Sequence, residues 1–307
     1  MRVVFCGNPE FAILTLDALL GSSHSVAAVV CSPDKPRGRG RKVEPLPVKR
    51  HALDVALPVL QPVSLKDEQF LSEVRDLSPD CLVVVAFRIL PRELFALPRL
   101  GSLNVHPSLL PKGRGPAPIR WTLIRGETET GISIIQLTEQ IDGGGILKQV
   151  RVPVLLDEDF GSLHARLARL GAELLIETLN EFERGAPLHP IVQDESAVTK
   201  APKLFAVDFL LDWSQPAREL HNRIRALSPS PGAIAKSGEF RLKILKSEIS
   251  ETKTTLQCGQ ILTENNELAV GTRDGTLRLK VVQPDGKRVM SVAEYLRGRP
   301  VLPRKFD

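Results

Sequence analysis

The chain has 307 residues, 42% hydrophobic and 25% charged, with a formal net charge of +5. That length suggests two domains at roughly 100–200 residues each, and the composition excludes a disordered, collagenous or coiled-coil chain. No apolar run of about 20 residues occurs, which excludes a membrane-spanning helix, and no secretory leader is expected from the first ten residues.

Residues 2–6 read as a buried strand, 9–20 as a helix with Pro9 near its start, and 26–31 as a second apolar strand. Residues 32–47, rich in Pro, Gly, Arg and Lys, are predicted to be a loop. Ser64 is the expected N-cap of a helix over 66–77, and strands are expected at 81–87 and 103–106. A helix over 117–125, strands over 131–137 and 147–154, and a long amphipathic helix over 160–183 continue the alternation. Strands alternating with helices predict an α/β domain: a mostly parallel sheet covered on both faces, binding ligands at the C-terminal ends of its strands. Residues 185–203 contain Pro187, Pro190 and Pro202 without periodicity and read as a linker. A helix over 215–225 then precedes short alternating runs at 240–249, 255–262, 268–272 and 276–283. Asp274-Gly275 and Asp285-Gly286 mark turns between or after them, so a small antiparallel barrel or sandwich is expected.

The charge excess is localised. From residue 205 onward there are 17 Lys+Arg against 12 Asp+Glu, and the stretch 34–50 holds seven basic and two acidic residues. A polyanionic partner fits this distribution, as does simple solubility. Cys6, Cys31, Cys81 and Cys258 form no paired-ligand spacing. They are expected to be free thiols in a reducing cytoplasm, without zinc or disulfides.

Three stretches could carry chemistry, whereas Gly7-Asn8-Pro9-Glu10 lacks the three glycines of a dinucleotide fingerprint and no Walker loop is present. Asn104 and His106 stand two apart at a strand end, so both side chains leave the same face. An amide donor beside an imidazole suits an acyl carbonyl whose oxygen becomes negative, and equally suits a strand edge capped by polar groups. Asp142, followed by Gly143-Gly144-Gly145, could orient or deprotonate a group near His106, or simply form a turn. Lys35, Arg37, Arg39, Arg41 and Lys42, spaced by Gly38 and Gly40, form a cationic finger for phosphates or a solvated loop. The histidines at 24, 51, 164, 189 and 221 lack comparable company.

In this order these pieces resemble the methionyl-tRNA formyltransferase family over nearly the whole chain. The resemblance runs through Gly7-Asn8-Pro9-Glu10-Phe11, Pro33-Asp34-Lys35-Pro36, Gln61-Pro62-Val63-Ser64-Leu65 and Val83-Val84-Val85-Ala86-Phe87. It continues in the stretch 104–117, in Glu129-Thr130-Gly131 and Asp142, and in Asp212-Trp213-Ser214. It implies a Rossmann-like formyltransferase domain over 1–184, a linker over 185–204 and an OB-like β-barrel over 205–307 that binds tRNA. It further implies formyl transfer from 10-formyltetrahydrofolate, a co-substrate, to the α-amine of initiator methionyl-tRNA, without a metal. The implied catalytic residues are Asn104, His106 and Asp142. The implied folate contacts are Val85, Ala86, Phe87, Arg88, Ile89, Leu90, Ser108, Leu109, Leu110 and Pro111, and the implied tRNA contacts are the five cations at 35–42. A cytoplasmic monomer with no membrane partner is expected. Transfer to an amino-sugar nucleotide, or RNA binding without catalysis, are the alternatives. The chain departs from the family pattern at Pro107, Gly113 and Gly145 and is one residue short within 86–90.

Overall fold

The apolar run after Arg2 becomes β1 (Arg2–Gly7), whose Val3, Val4, Phe5 and Cys6 are fully buried. The computed structural model describes residues 1–37, 42–185, 189–250 and 256–307. Two compact units divide them. The first comprises Met1–Pro118, Glu129–Val152 and His164–Ala201; the second comprises Ile119–Thr128, Pro153–Leu163 and Pro202–Asp307.

In chain order β1 is followed by a 3-10 turn at Glu10–Ala12, α1 (Ile13–Leu20), β2 (Ser25–Val30), β3 (Lys35–Arg37), β4 (Lys42–Glu44), α2 (Pro47–Asp54) and β5 (Val59–Leu60). Then come α3 (Glu68–Asp76), β6 (Cys81–Val85), α4 (Arg92–Phe95), β7 (Ser102–His106), α5 (Pro118–Ile124), β8 (Glu129–Gln136), β9 (Ile146–Pro153) and α6 (Phe160–Glu183). The first unit's sheet runs β5-β2-β1-β6-β7-β8-β9. Its strands are parallel from β5 to β7, and β8 turns antiparallel to β7. Both faces of the central strand β6 are apolar, as a sheet covered on two sides requires, and it is buried at every position.

Two local expectations are corrected here. The stretch expected as a loop over 32–47 contains an antiparallel ribbon, Lys35 opposite Glu44 and Arg37 opposite Lys42. It ends in a further helix, α2, which Pro47 opens because proline at the first helical position loses no needed hydrogen bond. The N-cap of α3 is Asp67 rather than Ser64: the Asp67 carboxylate accepts from Phe70 N at 3.0 Å, while Ser64 Oγ accepts from Lys66 N in the preceding turn.

The second unit holds α7 (Ala217–Leu227), β10 (Ala233–Ser237), β11 (Phe240–Ile249), β12 (Ile261–Glu264), β13 (Glu267–Gly271), β14 (Thr276–Pro284), β15 (Met290–Ser291) and α8 (Val292–Arg297). Its antiparallel sheet is ordered β10-β11-β14-β13-β12, with β15 on β14. The strand expected over 255–262 is shorter, β12, and Thr255 lies outside the described residues. Trp213 stacks on Phe306 at 5.6 Å between centroids in a core that includes Leu220, Ile224, Leu242, Ile244 and Val282. Arg120 on α5 donates to the carbonyls of Ala226 and Ser230 at 2.6 and 2.9 Å, with its guanidinium 3.7 Å from the centroid of the Phe160 ring.

All four cysteines are free. Burial pushes the Cys31 and Cys81 thiols up to about 12 and raises that of Cys6 as well, which makes them poor nucleophiles. No described helix is long and apolar enough to cross a membrane.

Candidate active site

The register of the first sheet places Asn104 opposite Val84 on one side and Ile135 on the other, near the C-terminal ends of β6 and β7. The two-residue period of a strand sends the His106 side chain to the same face as that of Asn104. His106 is buried, 4% exposed, and its Nε2 lies 3.0 Å from the carbonyl oxygen of Gly113. A carbonyl only accepts, so Nε2 carries a proton and Nδ1 is the nitrogen that faces Asp142.

Asp142 lies after β8, at a backbone φ of +52°, a region that L-residues seldom occupy. One carboxylate oxygen, Oδ2, accepts from Gly115 N at 2.9 Å. The other, Oδ1, lies 3.5 Å from Asn104 Nδ2 and 3.6 Å from His106 Nδ1. These spacings are at or beyond the limit of a hydrogen bond, so the three groups face one another without a strong contact among them. The amide, the imidazole and the carboxylate thus converge on one point at the end of the sheet.

Two glycines let the surrounding backbone approach so closely. Gly115 has φ +125°, and a Cβ there would stand 2.7 Å from the Ala201 carbonyl oxygen; a Cβ on Gly144 would stand 1.7 Å from that of Gln136. A Cβ on Gly145 would meet Pro190 Cβ at 2.5 Å, which accounts for glycine at that departure from the family pattern.

The remaining candidate residues are placed as follows. Val85, Leu90, Ser108 and Leu110 are buried, Ala86 and Ile89 are exposed, and Phe87, Arg88, Leu109 and Pro111 are half-buried. Arg88 donates to the carbonyls of Pro62 and Val63 at 3.0 and 3.1 Å, which ties the shortened segment back to the chain after β5. The Ser108 hydroxyl donates to the Lys112 carbonyl at 2.6 Å and so closes its own turn. Arg39 and Arg41 lie outside the described residues; Lys35, Arg37 and Lys42 are described only as backbone of the ribbon.

Sequence reasoning missed Gln193 and Arg114. Gln193 Nε2 donates to the carbonyl oxygens of Asp142 and Gly144 at 2.8 and 2.7 Å. Its Oε1 accepts from Nε and Nη2 of Arg114 at 3.0 and 2.8 Å. Arg114 also pairs with Glu195 at 2.8 Å, and that hydrogen bond holds the Glu195 carboxyl below the usual carboxylate range. No local pattern signals Gln193, because its partners lie far away in the chain. Among the described residues no group of three His, Cys, Asp or Glu side chains could hold a metal ion.

An α/β sheet with an amide, an imidazole and a carboxylate at its strand ends has the makings of an acyl-transfer enzyme, and comparison with known proteins narrows the class. Residues 1–179 match the formyl transferase family and residues 203–300 the formyl transferase C-terminal domain. The chain is 43% identical to a methionyl-tRNA formyltransferase of Moorella thermoacetica, covering 99% of this chain and 98% of that one. It is 40% identical to the methionyl-tRNA formyltransferase of Porphyromonas gingivalis, over 97% and 95% of the two chains. HypX from Aquifex aeolicus in complex with tetrahydrofolic acid shares the fold, with a TM-score of 0.66 at 20% identity over 96% of this chain and 47% of that one. The chain belongs to the methionyl-tRNA formyltransferase family.

Proposed function

We propose that Asn104, His106 and Asp142 carry out the family's reaction here: transfer of the formyl group of 10-formyltetrahydrofolate to the α-amine of initiator methionyl-tRNA. The observation that carries this reading is the convergence of Asn104 Nδ2 and His106 Nδ1 on Asp142 Oδ1 at 3.5 and 3.6 Å. The neutral amine attacks the formyl carbon, and a tetrahedral oxyanion forms. Asn104 Nδ2 and a proton on His106 Nδ1 stabilise that oxyanion, a role in which one missing donor typically costs ~10²–10³ in rate. Asp142, fixed on Gly115 N, orients the imidazolium and takes up the amine proton; the oxyanion then collapses, the bond from the formyl carbon to N10 breaks, and that proton passes to N10 as tetrahydrofolate leaves.

The folate-contact reading at 85–90 and 108–111 is supported by the place of these segments directly after β6 and β7, where such sheets bind ligands. For tRNA, the second unit offers a specific surface. Lys236 on β10 stands directly opposite Arg241 on β11, both exposed, with Lys243 two positions further on the same face. Like charges placed opposite one another destabilise a hairpin unless an anion neutralises them. Phosphates of the tRNA would do so, alongside the cations at 35–42.

The test measures N-formylmethionyl-tRNA formed from initiator methionyl-tRNA and 10-formyltetrahydrofolate, with an amino-sugar nucleotide offered in parallel. Formylation of the tRNA alone is expected. Transfer only to the sugar would replace this reading with the alternative acceptor.

A further inference from the structure

Residues 191–201 bond to the backbone at Gly113 and Arg114, next to the groups that hold His106 and Asp142, and to the turn that carries Asp142. Gly113, whose carbonyl receives His106 Nε2, donates its own N–H to the Thr199 carbonyl at 3.0 Å and to Thr199 Oγ1 at 2.9 Å. Arg114 N donates to the same carbonyl at 3.0 Å, and Ala201 N returns to Arg114 O at 2.7 Å. At the other end, Ile191 and Ile146 exchange N–H···O bonds at 2.9 and 2.8 Å, next to the glycine turn that follows Asp142. Between these anchors lies Gln193, 6% exposed.

The Gln193 amide has two N–H donors and two acceptor lone pairs, and all four are used. Two carbonyls, those of Asp142 and Gly144, meet its nitrogen; two guanidinium N–H groups of Arg114 meet its oxygen. Reversing the amide would aim oxygen at two carbonyl oxygens and N–H groups at a guanidinium, so the network dictates its orientation. Asp142 holds a left-handed backbone conformation that costs on the order of 1–3 kcal/mol unless its surroundings enforce it. Gly144 is wedged against the Gln136 carbonyl, which leaves the turn little room to relax.

We propose that Gln193, clamped by Arg114, is a positioning residue for Asp142, and that residues 191–201 act as a strap setting the angle of its carboxylate against His106 and Asn104. The proposal rests on the reading that Asp142 acts in formyl transfer. A small misplacement of a reacting group can cost a large factor in rate without altering substrate binding.

The experiment is a double-mutant cycle in the full chain. Gln193→Ala and Gln193→Glu are each measured in the wild-type and Asp142→Ala backgrounds. The readouts are single-turnover formyl transfer and equilibrium binding of methionyl-tRNA and tetrahydrofolate. Gln193→Glu keeps the size and the bond to Arg114 but removes both donors, so it reports even where alanine weakens the fold. Each change is expected to slow transfer on the order of tenfold in the wild-type background, with both binding constants held within about twofold. With the Asp142 carboxylate already gone, the same change should slow transfer less than about twofold further. Equal fold-losses in both backgrounds, or a Gln193→Glu protein with wild-type rate, overturn the strap's role. An Asp142→Ala protein as fast as wild type would overturn the site assignment itself, and the strap's role with it.

Discussion

His106 Nε2 and the Gly113 carbonyl oxygen, 3.0 Å apart, engage one imidazole nitrogen with the backbone and leave the other to the proposed chemistry. Nε2 is engaged with the backbone, and Nδ1 faces the Asp142 carboxylate. The consequence can be tested with amides that mimic one nitrogen each. His106→Ala is expected to lose ~10²–10³ in single-turnover rate, as for a missing oxyanion donor. His106→Asn, whose amide nitrogen can stand where Nδ1 stood, should retain about tenfold more than alanine, and His106→Gln should not. The reverse order for the two amides would contradict the assignment of Nδ1.

The Lys236–Arg241 pair carries a salt-dependence prediction. Replacing both by Ala should lower the slope of log affinity for methionyl-tRNA against log salt, by about 0.7–0.9 for each phosphate that is no longer neutralised. It should also leave tetrahydrofolate binding intact and should not lower the thermal midpoint, since the opposed charges destabilise the hairpin alone. An unchanged salt slope would remove this surface from the tRNA-binding face.

Arg120 predicts a stability effect. Its guanidinium satisfies the Ala226 and Ser230 carbonyls while lying over the Phe160 ring. Arg120→Met keeps much of the bulk and abandons both carbonyls, so a loss of about 2–3 kcal/mol is expected in denaturant unfolding. Arg120→Lys should recover less than half of that, because one ammonium lacks the planar fork. Unaltered unfolding of Arg120→Met would contradict this account.

His221 predicts a pH effect on the second unit. Burial first, and then the nearby Arg225 and Arg218, push its imidazole below the ordinary value, against a weaker pull from Asp157; Ser247 Oγ lies 3.1 Å from Nδ1. The unfolded chain therefore binds the proton more readily than the folded one. The contribution is fully present above the ordinary imidazole value of about 6.5 and is lost as pH falls through the lowered folded value. One proton gives at most about 1.4 kcal/mol per pH unit. His221→Asn should flatten the pH dependence of stability below about pH 6.5, which unfolding at several pH values would reveal.

Much of the scaffold is legible in local pattern. β1 and β6 show as apolar runs, 103–106 as a short strand, and the 160–183 periodicity coincides with α6, because burial at those positions acts on near neighbours. β10 escapes the reading because Ala233 to Ser237 offers only short side chains and one lysine, and α8 because two turns are too short to show a period. At the site, the shared face of Asn104 and His106 is a property of strand geometry and can be read from spacing alone. The meeting with Asp142 takes a family resemblance or a structure. Gln193 is invisible to either kind of local reading, since its role exists only once Asp142, Gly144 and Arg114 arrive beside it from distant parts of the chain.

The second unit draws on three separate stretches of chain, two of them, Ile119–Thr128 and Pro153–Leu163, embedded among segments of the first. Within that unit Trp121 Nε1 donates to the Pro202 carbonyl, and Arg225 Nη1 to that of Glu158. A recombination event that exchanged everything after Ala201 for a foreign tail would therefore break both of these bonds. The tail is not a freely interchangeable cassette: its descent is bound to the two embedded stretches, and any successful transplant has to carry them as well.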